Sequence, residues 1–235
     1  MGELFDKSAP TESYLCDDRF VSQKEIQSFV TTTHLIIRDL YELFNYVEPS
    51  DDNLGIYSHR IYELFLRTST EFESNCKAIL HANGYSKPID NMNIRDFFKI
   101  APVARLYEYR VVFDRWNSDY EFIPFMDWNT DCYTPLSWYK SYNEVKHNRY
   151  DKFQNANLYN LMNAVAGLLC ILHVQCGSNM DSACFEGISC YQHDQRRVST
   201  GSFSINAPSF PLEEQYEFIW ENLKYDSNPI RVFTF

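Results

Sequence analysis

Residues 138–150 read WYKSYNEVKHNRY, which sets Lys140, Lys146, His147 and Arg149 among the rings of Trp138, Tyr139, Tyr142 and Tyr150. On a helical wheel Asn143, Lys146 and His147 share one side, with Tyr139, Lys140 and Tyr150 beside them. Trp138, Tyr142, Val145 and Arg149 fall on the other side, where large rings can pack into a core. A histidine with a pKa of about 6.5 exchanges protons near neutrality, and lysine or arginine stabilises negative charge developing on a phosphate. Together these groups meet the needs of metal-independent RNA cleavage, in which a 2′-hydroxyl attacks the neighbouring phosphate. The plain reading stands beside it: a histidine next to a lysine on a helix is commonly a solvated or hydrogen-bonded structural residue. Electrostatics favours a ligand. Lys140, Lys146, Arg149 and Lys152 face Glu144 and Asp151 over residues 138–153, a local excess of two cations in a chain of net charge -11. That reversal of sign points to an anionic partner.

Other constellations are less pointed. On the preceding helical segment, Arg67, Glu71, Glu73 and Lys77 lie close together. Glu73 and Lys77, four apart, suit a surface pair worth about 0.3–0.5 kcal/mol; alternatively Glu71 reaches Lys146 or His147 across the bundle and orients them. Cys176, Cys184, Cys190 and His193 invite a zinc reading, but they contain no Cys-x-x-Cys pair, so reduced free thiols are the expectation. The phosphate-loop, dinucleotide, nucleophile-elbow and H-E-x-x-H patterns are all absent from the sequence, and only seven glycines supply material for a phosphate cradle. No metal or other cofactor is expected.

The segments that must position these residues are mostly helical. From Val21 to Val47, Ile26, Phe29, Val30, Leu35, Ile36, Leu40 and Phe44 recur at three- and four-residue steps, and Pro49 with the run SDDN ends the pattern. A second helix is predicted over Tyr57–Ala82, striped by Ile61, Phe65, Thr68, Phe72, Cys76 and Ile79 and closed by Gly84. A short helix follows over Ile94–Ile100. LYEYRVVF (106–113) and YEFIPFMDW (120–128) are rich in aromatic and β-branched residues, so an extended insert is expected at about 103–128. Helix resumes over Leu136–Tyr150 and, after a break at Asp151–Asn155, runs to about His173 with Asn155 as its cap. Leu158, Leu161, Val165, Leu168 and Leu172 form its buried stripe, and Ala164, Ala166 and Gly167 admit a close neighbour. VSTGSFSIN (198–206) and IRVFTF (230–235) read as strands.

The organisation expected is an extended lead-in over 1–20, a helical core over 21–176 and a turn-rich extension over 177–235 packed on it. Apolar residues at 45% afford a sizeable core. Thirty-two acidic against 21 basic residues repel duplex phosphate, so duplex DNA is not an expected partner. The N-terminal residues lack a basic start followed by an apolar run, and Ala164–Leu172 is short for a bilayer, so a cytoplasmic protein without membrane partners is expected. Seventeen tyrosines and 18 phenylalanines are mostly core and interface material, though rings beside a basic patch also stack on bases.

The run YNEVKHNR, followed by Phe153, Ala156, Asn157, Leu158 and an apolar helix, is similar to a recurring bacterial family. Over roughly residues 55–175 the helical pattern resembles the HEPN superfamily, named for higher eukaryote and prokaryote nucleotide-binding domains. The resemblance implies a mainly α, HEPN-like helical bundle with short β-strand additions, commonly a homodimer. Many such domains are metal-independent ribonucleases of phage defence or toxin–antitoxin systems; others are non-catalytic binding modules. The active pattern has an arginine, then a polar residue, then a histidine a few positions on. Asn143 and His147 match it, but Tyr142 stands at the arginine position, with Lys140 before it and Arg149 beyond. A tyrosine offers phosphate no permanent charge. The resulting expectation is a binding module for RNA or a nucleotide, with Lys140, Tyr142, Glu71 and Lys77 bordering the surface. The alternative is a ribonuclease in which His147 is the general acid/base, Lys146 or Arg149 stabilises phosphate and Asn143 positions it.

Overall fold

The computed structural model describes residues 23–176, 197–199, 202–210 and 235, and these are mainly helical. Helix α1 (Gln23–Leu43) buries Val30, Ile36, Leu40 and, just past its end, Phe44, whereas Leu35 from the predicted stripe is exposed. Helix α2 (His59–Ala82) starts where Ser58 Oγ accepts the Ile61 amide at 3.2 Å, an ordinary N-cap. It stops where Gly84 adopts φ 70°, which lets Gly84 and Tyr85 donate to the carbonyls of His81 and Leu80. Its predicted stripe, from Ile61 to Ile79, is buried throughout.

The predicted short helix is split into α3 (Ile94–Phe97) and α4 (Ile100–Ala104). Asp96 closes a capping box with Asn93 and also accepts from Lys87 Nζ at 2.6 Å and Tyr85 Oη at 2.9 Å. Burial alone would raise its carboxyl, but these donors outweigh that and hold its pKa below the ordinary carboxylate value.

Strand β1 (Arg110–Phe113) comes from the first aromatic run of the insert. The second contributes one bridge, Val111 to Phe122, and then a 3₁₀ turn at Met126–Trp128. The segment 198–206 forms two strands as expected, β2 (Arg197–Ser199) and β3 (Phe203–Asn206). All pairs are antiparallel in the order β1-β3-β2, with Val111 opposite Ile205 and Val198 opposite Ile205 on the other edge. Of the predicted strand 230–235, only Phe235 is described, its ring 6.2 Å from that of Tyr85. The lead-in 1–20 lies outside the described residues, as do Cys184, Cys190 and His193 of the zinc candidate and most of the extension 177–235.

Helix α5 (Ser137–His147) is followed by the single turn α6 (Arg149–Lys152) and then α7 (Leu158–Cys176). The cap of α7 is Asn157 rather than the expected Asn155. Asn157 Oδ1 accepts the Asn160 amide at 3.0 Å, while Asn155 turns its amide to Glu144 Oε2 at 2.7 Å. Helix α7 is the centre of the molecule, packed by α1, α2, α5 and β1. Its predicted stripe is buried, and so are most residues between. The expectation of a short apolar stretch is corrected here: Leu158–Gln175 is long and apolar enough to cross a membrane, but 89% of it is buried inside the protein. A helix enclosed on every side has the composition of a core helix. At Gly167 a side chain would meet Trp138 Cζ2 at 3.2 Å and Phe125 Cζ at 3.5 Å, so the absent Cβ is what lets α5 and the insert sit against α7.

Candidate functional site

Helix α5 runs antiparallel to α2, and ring contacts fix the register. Trp138 and Tyr139 meet Phe72, Tyr142 meets Phe65, and beyond the helix end Arg149 lies over Tyr62 at 5.6 Å. Trp138, Tyr142 and Val145 are buried, as the wheel predicts. Tyr139, placed by the wheel beside the polar face, is buried too, because α2 covers it and Glu73 Oε1 accepts its hydroxyl at 2.7 Å. Arg149, placed by the wheel with the inward rings, is exposed. Asn148 (φ -140°, ψ 65°) ends α5 and redirects the chain, so the wheel does not extend across it.

Lys146 leans back along α5. Its Nζ donates to Tyr142 Oη at 3.0 Å and lies 4.9 Å from that ring's centroid. This bond, helped by the nearby Glu73 carboxylate and opposed by partial burial, raises the lysine pKa above its ordinary value. Tyr142 is 1% exposed, and the ammonium of Lys146 sits at its hydroxyl. Lys140 and His147 are exposed and Asn143 is half-buried, forming an outer row at helical spacing. No hydrogen bond or ion pair among the described residues orients the His147 ring.

Glu71 does not reach this row. It accepts from Asn75 Nδ2 at 3.3 Å on the side where Gln175 of α7 also bonds Asn75, and burial raises its carboxyl. Glu73 is the carboxylate that faces α5, and it bonds Tyr139 rather than pairing with Lys77. Lys77 is half-buried one turn further along α2, with no ion pair among the described residues. No group of His, Cys, Asp and Glu among the described residues is arranged to hold a metal.

The structure adds a second component that spacing does not reveal. Tyr150 is 96% exposed on α6, and around Phe153 gather the rings of Tyr57, His59 and Tyr62 at centroid distances of 5.7, 4.7 and 5.9 Å. These residues come from segments some ninety positions apart, joined by the bridge between Tyr57 and Asn157. The signals available in the sequence were the helix start at Ser58 and an unusual density of rings, and neither specifies this meeting. Exposed cations thus border exposed rings along α5, α6 and the start of α2.

Compared with models of known families, with curated proteins and with solved structures, the chain matches none. The chemical reading therefore rests on the side chains themselves.

Proposed function

We propose that this protein is a non-catalytic binding module, HEPN-like in architecture, whose α5–α6 surface takes RNA or a nucleotide. The observation that carries the reading is the exposure of Lys140 and His147 on α5 and of Arg149 and Lys152 on α6, with the 96% exposed ring of Tyr150, in a chain of net charge -11. Cations at this spacing suit phosphates, and a fully presented tyrosine suits an unpaired base. The same resemblance adds a homodimer and a bacterial defence or stress setting to the proposal.

Catalysis is the less supported half of the resemblance. A general acid/base needs a held ring and a charge aimed at the phosphate. His147 has no orienting partner among the described residues, Tyr142 is sealed in the core, and Lys146 is bonded to it.

The test is anisotropy of a labelled single-stranded RNA of twelve to fifteen nucleotides, with ATP as the mononucleotide probe. The paired change Lys140→Glu and Arg149→Glu leaves the Tyr142 bond untouched and is expected to weaken RNA binding at least about tenfold, with a shallower salt dependence. The melting temperature should stay within a few degrees of wild type. Absence of binding to either probe, or an unaltered affinity in the variant, would sink the proposal. Metal-free cleavage of the RNA that disappears in His147→Ala would replace it with the ribonuclease.

A further inference from the structure

The first half of α2 presents another face to solvent, and there it meets the end of α1 in a cleft of about 520 Å³. That volume lies in the range of about 300–1,000 Å³ common for small-molecule sites. Leu43, Val47 and Leu64 form its floor, the two leucines buried. Most of the charges at its rim are already satisfied. Arg67 Nη2 lies 2.6 Å from Asp39 Oδ2, Arg38 reaches the other oxygen at 3.2 Å, and Arg60 lies 3.3 Å from Glu63.

Two lining groups differ. The Glu42 carboxylate makes no hydrogen bond or ion pair among the described residues. Tyr46, in the turn that follows α1, is 81% exposed, and its side chain has no ring or hydrogen-bond partner among them. A lone carboxylate next to an uncovered aromatic face, above an apolar floor, is the arrangement that holds an ammonium or guanidinium group. The carboxylate supplies the counter-charge, the ring quadrupole adds attraction, and the floor takes the hydrocarbon. The net charge of -11 adds a general preference for cations.

We infer that the α1–α2 cleft binds a small organic cation, a primary ammonium or guanidinium carried on an apolar stem. The charge sits between Glu42 and Tyr46, and the stem lies on Leu43, Val47 and Leu64. This site is independent of the α5–α6 surface and stands whether or not that surface binds RNA.

Amide chemical shifts during titration of the full chain with phenethylammonium provide the test. Shifts are expected at residues 42–47 and 60–67, with affinity about tenfold above that for phenethyl alcohol. Phenylacetate, the anion of similar shape, should bind more weakly still. Glu42→Gln should abolish the preference for the amine over the alcohol without moving the melting temperature, and Tyr46→Ala should reduce it. Equal binding of amine and alcohol, tighter binding of phenylacetate, shifts confined to other residues, or an unchanged preference in Glu42→Gln would each overturn the inference. A capped Leu-Lys-Leu peptide that binds more tightly than the free amine would overturn its small-molecule part.

Discussion

Trp138→Ala is expected to cost about 3–5 kcal/mol of folding stability, read as a lower urea midpoint with little change in slope. The indole is 1% exposed, packs edge-on to Phe72 at 5.2 Å and to Tyr139 at 5.7 Å, and donates Nε1–H to the Pro124 carbonyl at 2.9 Å. Its Cζ2 also lies against Gly167 of α7. Truncation leaves a void that three rigid elements cannot collapse into, together with an unpaired buried carbonyl. Trp138→Phe keeps much of the volume and loses the donor, so about 1–2 kcal/mol is expected. A loss under about 1 kcal/mol for the alanine variant would show that α5 is anchored by something else. The proposed binding surface depends on this anchor, since the buried edge of α5 dictates the direction of Lys140, Asn143 and His147.

Acidification is expected to remove about 3 kcal/mol of stability between pH 6.5 and pH 4 through His173 alone. The ring is buried on α7, with Nδ1 3.1 Å from the Tyr109 hydroxyl and Nε2 without a partner among the described residues. Among the described residues its titratable partner is Tyr109, and Tyr109 and its neighbour Cys170 are both pushed up by burial and therefore neutral, with Arg110 acting on Cys170. No carboxylate among the described residues is bonded to the ring. Burial therefore lowers the histidine pKa from 6.5 to about 4. In that interval the unfolded chain takes a proton that the folded one refuses. The contribution is complete above pH 6.5 and is lost as pH falls towards 4. Urea unfolding at pH 7.5, 6.0 and 5.0 should show His173→Gln losing markedly less stability than wild type across the series. Parallel losses in the two proteins would refute the assignment.

What could be read ahead of the structure was whatever local periodicity controls. The stripes of α2 and α7 and the inward rings of α5 follow from 3.6-residue spacing, because each of those helices buries one continuous face or more. Departures came where the determinant lies in another element. Tyr139 is buried because α2 happens to offer Glu73 opposite it, and Glu71, two positions away, bonds Asn75 of its own helix instead. Arg149 departs from the wheel because Asn148 interrupts the helix, a break that the composition of 148–152 only hints at. The cap of α7 slipped by two residues because Asn155 and Asn157 are equally good cap formers, and Glu144 claims the first. The ring cluster at Phe153 and the α1–α2 cleft arise from the relative placement of distant segments, about which periodicity is silent.

The sheet carries a consequence for the order of assembly. Arg110 to Phe113 pair with Asn206 to Phe203, so β1 waits for a partner more than eighty-five residues further along the chain. The helices α2, α5 and α7 are complete by residue 176, and they pack directly on one another. During synthesis from the N-terminus the helical layer therefore has a head start, while β1 has its bridge to Phe122 and its packing on α7 but not yet its partner strand β3. Closing so long a loop is slow. Until β3 arrives, Val111 and Phe113 belong to an open edge, and that interval is when this chain is most exposed to pairing with the wrong strand.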